Sequence, residues 1–135
     1  MHRIRRRGTA GSQCPGAPAR LVSARGAAAE AQACAYLERE GLICLERNMS
    51  CRLGEIDLIM RDREEVVIVE VRARAHGALV DALNSVSTHK RRRIIQATRY
   101  WQTRHPELAD EPLRFDIVAI NGQHIDWQRN AFEAL

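Results

Sequence analysis

Two acidic residues on neighbouring predicted strands form the part of this sequence best suited to chemistry. Asp57 lies within the strand-like segment Glu55–Met60, and Glu70 lies within Val66–Arg72. If these segments pair as an antiparallel hairpin, the two carboxylates meet across the ladder, where they repel each other. A hard divalent cation such as Mg²⁺ removes that cost, because it favours one or two carboxylates together with water and phosphate oxygens. The alternative is that Glu70 forms an ordinary salt bridge on the sheet with Arg72 or a neighbouring residue.

A run of basic residues opens a predicted helix further along the chain. Ser87 is suited to cap this helix, which extends to about Arg104, and Pro106 follows its end. The run Lys90–Arg93 occupies the first turns, where the helix dipole opposes cations by about 0.3–1 kcal/mol each. An anionic partner is therefore expected, either the carboxylate pair or the phosphates of a nucleic acid; a solvated basic turn is the alternative.

Lys90 differs from the other basic residues of this run in two ways. It is the only lysine beside twenty arginines in the whole chain. It also falls in line with the apolar stripe of its helix, so it should project towards the sheet. Three side chains remain as candidates for contact with nucleic acid: Arg91, Arg92 and Arg93.

The first predicted helix contributes one further acidic residue. Its body covers Ala27–Arg39, with Ser23 as a possible cap and Gly41 just beyond its end. Glu30 borders the apolar face of this helix. Since acidic side chains avoid burial unless they are paired, this position indicates a special role for Glu30.

The remaining pattern predicts an α/β fold with the element order α-β-β-β-α-β-β. A strand over Leu42–Arg47 precedes the hairpin, and a strand over Leu113–Ile120 follows the second helix. The dipeptide Asn121-Gly122 predicts a tight turn into a short last strand at His124–Trp127. The segment Ala73–Ser85 is interpreted as a loop.

The charge is unevenly distributed along the chain. Residues 1–25 carry six arginines and no acidic residue, whereas residues 26–135 carry fifteen basic and seventeen acidic residues. We therefore expect a disordered basic tail over residues 1–22 and a single domain over residues 23–135. The absence of a long apolar stretch argues against a membrane span. The four cysteines lack close metal-ligand spacing, so we expect reduced cysteines in a cytoplasmic protein rather than a zinc site.

Several of these segments together resemble one family. They are the segment from Glu30 to Leu37, Arg47-Asn48, the string GEIDLI at residues 54–59, VEVR at residues 69–72, Lys90, and Arg114-Phe115-Asp116. This combination resembles the YraN family of bacterial proteins, which is similar to archaeal Holliday-junction resolvases and to the PD-(D/E)-x-K nuclease superfamily. The resemblance covers roughly residues 24–135, and GEIDLI followed by VEVR is its most specific part.

The resemblance implies a restriction-endonuclease-like core, a mixed sheet flanked by helices. It implies that Asp57 and Glu70 bind Mg²⁺ or Mn²⁺ and that Glu30 completes the metal site. The implied catalytic set is Asp57, Glu70, Arg72 and Lys90. Arg72 departs from the superfamily motif, which has lysine there; an arginine cannot be deprotonated in practice, so Lys90 is a candidate to take over the lysine's role.

Three functions follow as hypotheses. The first is a metal-dependent endonuclease, resolvase-like, that hydrolyses the phosphodiesters of DNA, including branched DNA. The second is a nucleic-acid-binding protein with the nuclease fold and little or no catalysis. The third is an interaction module in which the charges form a salt-bridge network. By analogy with resolvases, which cut two strands of a junction, the resemblance also points to a homodimer.

Overall fold

The computed structural model of the chain describes residues 24–73 and 79–134. The predicted tail, residues 1–22, lies outside the described residues. Three helices, one short 3₁₀ turn and five strands follow one another along the described chain. They are α1 (Ala24–Arg39), β1 (Ile43–Cys51), β2 (Gly54–Asp62), β3 (Glu65–Ala73), α2 (Leu79–Asn84), α3 (Thr88–Arg104), the 3₁₀ turn Pro106–Leu108, β4 (Leu113–Asn121) and β5 (His124–Phe132).

The five strands form one mixed sheet in the order β1-β2-β3-β4-β5. The pairs β1–β2, β2–β3 and β4–β5 are antiparallel, whereas β3 and β4 are parallel. A parallel pair needs a crossover connection, and α2 and α3 provide it. The predicted α/β fold, a mixed sheet flanked by helices, is confirmed. The segment predicted as a loop, Ala73–Ser85, contains the short helix α2, which is too brief for helical periodicity to reveal.

Each face of the sheet packs against a different helix. Val67 and Val69 belong to a core with residues of α1, whereas Val66 and Ile68 belong to a core with residues of α3. This is the alternation expected of a strand buried on both faces. Glu70 shares its face with Val66 and Ile68, so its side chain is directed towards the α3 side of the sheet.

Strand β1 extends past the predicted end at Arg47 and contains one residue with a left-handed backbone. Asn48 has a φ of 54°, in the left-handed region that asparagine tolerates. The ladder contains the pairs Arg47–Leu58 and Met49–Ile56 but omits Asn48. Leu58 lies in the core with α1 and Ile56 in the core with α3, although strict alternation would place both on one face. The end of the β1–β2 hairpin therefore turns towards α3, and a period of two residues cannot predict it from the sequence.

The face of the sheet on the α1 side holds a separate charged network. Arg114 forms ion pairs with Asp62 at 2.9 Å, with Glu65 at 2.9 Å and with Asp116 at 3.1 Å. Asp116 is fully buried and also accepts a hydrogen bond from Trp127 Nε1 at 2.8 Å. These contacts join four strands, which gives Asp116 a structural role. In the described part of the chain, no helix combines the length and apolar character needed to span a membrane.

Gly54 gives a direct test of how the hairpin packs on α3. A Cβ atom at this position would lie 2.5 Å from the carbonyl oxygen of Arg93, and a backbone atom cannot move aside as a side chain can. We expect Gly54→Ala to lower the free energy of unfolding by about 1–3 kcal/mol, because α3 and the hairpin must separate. Thermal denaturation measures this, with Glu64→Ala in the exposed turn between β2 and β3 as the control. An unchanged melting temperature for Gly54→Ala would contradict the described packing.

Candidate metal and phosphate site

The β2–β3 hairpin brings Asp57 and Glu70 together. The ladder on this side ends with the pair Leu58–Val69, and Asp57 and Glu70 are the next residues on their strands. Asp57 Oδ2 accepts a hydrogen bond from the backbone N–H of Val71 at 2.8 Å, so a side chain takes the place of a main-chain acceptor where the strands diverge. The two carboxyl groups are neighbours, and the charge of Asp57 acts on the pKa of Glu70. Their predicted meeting across the hairpin is confirmed.

Glu70 carries the most perturbed carboxyl group of this site. Its side chain is only 4% exposed. Burial, followed by the neighbouring charge of Asp57, raises the pKa of Glu70 from 4.5 to about 7, and Lys90 acts in the opposite direction. A buried carboxylate beside a second carboxylate is costly unless a cation compensates it.

Lys90 supplies such a cation from the neighbouring helix. Its Nζ lies 2.8 Å from Glu70 Oε2, and its side chain is 42% exposed. The hydroxyl of Ser87 caps α3 by accepting a hydrogen bond from the backbone N–H of Lys90 at 3.1 Å, as predicted for this residue. Lys90 therefore joins the buried carboxylates to the protein surface, and its predicted direction towards the sheet is confirmed.

Arg72 contacts the same carboxylate from strand β3. Its Nη1 lies 3.5 Å from Glu70 Oε2, and its Nη2 donates a hydrogen bond to the carbonyl of Ser85 at 2.7 Å. Its Nε is buried and has no hydrogen-bond partner among the described residues. We call Asp57, Glu70, Arg72 and Lys90 the Glu70 cluster. The sequence did not indicate the contributions of Ser85 and Val71, because both act through backbone groups that residue type does not reveal.

Glu30 is the remaining predicted metal ligand. It lies in α1, and its side chain is buried, with 4% of its surface exposed. Within residues 24–73 and 79–134, no group of three or more histidine, cysteine, aspartate or glutamate side chains is placed to hold one metal ion. The role of Glu30 as a third metal ligand beside Asp57 and Glu70 remains a prediction.

The three arginines after Lys90 have different surroundings. Arg91 Nε donates to the carbonyl of Val86 at 3.0 Å, and its guanidinium lies 5.4 Å from the centre of the Phe132 ring. Arg92 and Arg93 are exposed. The side chain of Arg91 thus has partners within the protein, whereas Arg92 and Arg93 present their charge to the surface.

A surface groove of about 370 Å³ begins beside the Glu70 cluster. It is lined by Glu55, His89, Lys90, Arg93 and Ile94. Lys90 belongs to both the groove and the Glu70 cluster, so an anionic ligand in the groove would lie next to the buried carboxylates. The sequence suggested no chemistry for His89, because a single histidine in a helical turn has no distinctive spacing.

The raised pKa of Glu70 predicts a dependence of stability on pH. Between about pH 4.5 and about pH 7, the folded protein holds a proton that the unfolded chain has already lost, so the contribution of Glu70 to stability declines across this range. Glu70→Gln cannot ionise and escapes this decline. Urea unfolding in EDTA measures the free energy of unfolding of both proteins. As the pH rises from about 5 to about 8, the value for Glu70→Gln should increase relative to that of the wild type. A constant difference would show that Glu70 ionises normally.

The comparisons with known proteins agree on one family. Residues 29–120, which include all four members of the Glu70 cluster and Glu30, match the family described as Uncharacterised protein family UPF0102. A UPF0102 protein of Pseudomonas putida (strain GB-1) is 41% identical over 121 residues, covering 86% of this chain and 98% of the relative. Another, of Stutzerimonas stutzeri (strain A1501), is 46% identical over 113 residues, covering 81% and 94%.

A third relative comes from a different genus. The UPF0102 protein of Nitrosococcus oceani is 44% identical over 112 residues, covering 80% of this chain and 90% of the relative. The names of these relatives state the family and no activity. Because the matched residues span most of both chains in each case, the chain belongs to the UPF0102 family, which is the YraN family that its motifs resemble.

Proposed function

We propose that this protein is a Mg²⁺- or Mn²⁺-dependent endonuclease that hydrolyses phosphodiesters of DNA, including branched DNA. The observation that carries the proposal is the buried Asp57–Glu70 pair with Lys90 Nζ 2.8 Å from Glu70. Two adjacent carboxylates beside an amine, at the edge of a groove with basic residues, suit an anionic substrate that is bound through a cation.

The donor set fits a hard divalent cation. Mg²⁺ is usually held by one or two carboxylates, with water and phosphate oxygens completing its shell. Asp57 and Glu70 provide two carboxylates, and the repulsion that raises the pKa of Glu70 is the cost that a bound cation relieves. When bound, Mg²⁺ supplies Lewis-acid stabilisation of charge on the phosphate.

The side chains around this pair have separable roles in the proposal. The backbone N–H of Val71 fixes the orientation of Asp57. Lys90 contacts Glu70 and provides the amine that the superfamily motif has at the position of Arg72. Arg72 keeps its charge at all relevant pH values and adds positive potential for the phosphate.

The exposed charges of α3 support nucleic acid as the substrate class. Arg92 and Arg93 are exposed in the first turns of the helix that carries Lys90. Basic side chains at a helix N-terminus bind phosphates through both their own charge and the helix dipole. A DNA backbone along these turns would place a phosphodiester beside the Glu70 cluster.

A second candidate function is DNA binding without cleavage. Arg72 occupies the position where the superfamily motif has lysine, and one of its nitrogens is engaged by Ser85. Because a guanidinium does not act as a base, this arrangement favours a binding protein if Lys90 does not replace the missing amine.

Asp57 provides the test of catalysis. Purified protein with Mg²⁺ or Mn²⁺ should cleave at least one of four DNA substrates: single-stranded, duplex, flap or four-way. Asp57→Asn should reduce the rate by about 100-fold or more, since even losing a contact that supports a metal ligand costs 10–100-fold. Asp110→Asn makes the same chemical change at an exposed position and should have no effect. DNA binding without any cleavage by the parent protein would favour the second candidate.

The division of roles between Lys90 and Arg72 gives a separate prediction. Lys90→Arg keeps the positive charge and should leave DNA affinity within about twofold, but it should lower the cleavage rate because a guanidinium is not an amine. Arg72→Lys restores the superfamily motif and should preserve or raise the rate. Single-turnover cleavage and DNA-binding titrations measure the two effects. If Lys90→Arg is silent and Arg72→Ala abolishes cleavage, the two roles are reversed.

A further inference from the structure

The tip of the β1–β2 hairpin carries an apolar residue that is exposed to solvent. The turn consists of Arg52 and Leu53, and the side chain of Leu53 is 44% exposed. The other two-residue turns of the described sheet are polar, formed by residues 63–64 and 122–123. Tight turns usually contain glycine, proline, asparagine, aspartate or serine, whose backbone preferences or hydrogen bonds favour the turn. Leu53 provides neither of these contributions.

Packing against α3 holds this tip in place. A Cβ atom at Gly54 would lie 2.5 Å from the main-chain oxygen of Arg93, so the hairpin and the helix are in direct backbone contact. Cys51 and Ile56, on either side of the turn, are buried in the core that includes Ile94 of α3. Leu53 is therefore presented from a fixed position, which lowers the entropic cost of using it in a contact.

The surroundings of the tip suit DNA better than an apolar partner. Arg52 is exposed beside Leu53, and the groove next to the hairpin is lined by the basic residues His89, Lys90 and Arg93, with Glu55 as its acidic member. At about 3.3 Å per residue, Leu53 lies at most about 13 Å along β2 from Asp57. This distance corresponds to about four steps of a DNA strand at 3.4 Å each.

We infer that Leu53 acts as an apolar wedge that contacts unstacked bases at the branch point of a DNA substrate, an inference that rests on the proposed function. Leucine is one of the side chains that DNA-bending proteins insert between base steps, with basic residues on the adjacent phosphates. Bases at a branch are already partly unstacked, so insertion costs less there than in a continuous duplex. The wedge thus selects branched DNA, while the basic residues of the groove bind any DNA.

The test compares branched and duplex DNA in Ca²⁺, a hard cation with oxygen ligands that replaces Mg²⁺ at the carboxylates while binding rather than cleavage is measured. 2-Aminopurine placed at the branch of a four-way DNA should become more fluorescent when the wild-type protein binds. Leu53→Ala should remove this increase and weaken binding to the four-way DNA about tenfold, with less than about a twofold effect on duplex of the same sequence. Leu53→Met, which keeps an apolar tip, should behave as wild type. Ile43→Ala is the matched control, since Ile43 is 43% exposed at the other end of β1.

The outcomes separate this inference from the proposed function. If the wild-type protein cleaves DNA with metal but Leu53→Ala binds four-way and duplex DNA as the wild type does, the wedge is wrong and the endonuclease proposal stands. If Leu53→Ala changes sedimentation of the free protein rather than its DNA binding, the tip is a contact between protein molecules and the wedge is also wrong. If the wild-type protein neither binds nor cleaves any of the DNAs, both proposals fail.

Discussion

The candidate site depends on one interaction, the close approach of two buried carboxyl groups, those of Glu70 and Asp57. Glu70 lies on the α3 side of the sheet, and the hairpin brings Asp57 against it. In a low-dielectric interior two ionised carboxylates are unfavourable together, and either a proton on Glu70 or a nearby positive charge relieves that cost. The neighbouring positive groups are Lys90 from the helix and Arg72 from the strand, and both reach the same oxygen of Glu70.

The same constraint explains the basic residues at the start of α3. Cations in the first turn of a helix are opposed by the helix dipole, and the serine cap does not alter this. For Lys90, the ion pair with Glu70 offsets the unfavourable interaction with the helix dipole. For Arg91, the same cost is offset by contacts with the Phe132 ring and the carbonyl of Val86. Arg92 and Arg93 have surface positions. Their charges raise the positive potential beside the carboxylates.

Much of this arrangement could be predicted from the sequence because it follows from short-range periodicity. Pairing of the two predicted strands placed Asp57 beside Glu70, and the serine cap predicted the start of α3. The break at Asn48 was not predictable, since a single left-handed residue leaves no trace in a hydrophobic pattern. The backbone contacts of Ser85 and Val71 were equally hidden, because every residue type carries the same carbonyl and N–H. Helix α2, six residues long, was too short for its periodicity to be read.

Arg72 links strand β3 to the start of helix α3. A planar guanidinium can donate in two directions at once, and here it reaches both Glu70 and the carbonyl of Ser85. Ser85 lies two residues before the cap of α3, so this bond connects strand β3 to the start of the helix that carries Lys90. A lysine at position 72 has a single nitrogen, and the fixed fork of the guanidinium would be lost. Arg72 and Lys90 therefore approach Glu70 from two linked elements, and Lys90 Nζ lies 2.8 Å from the carboxylate that both contact.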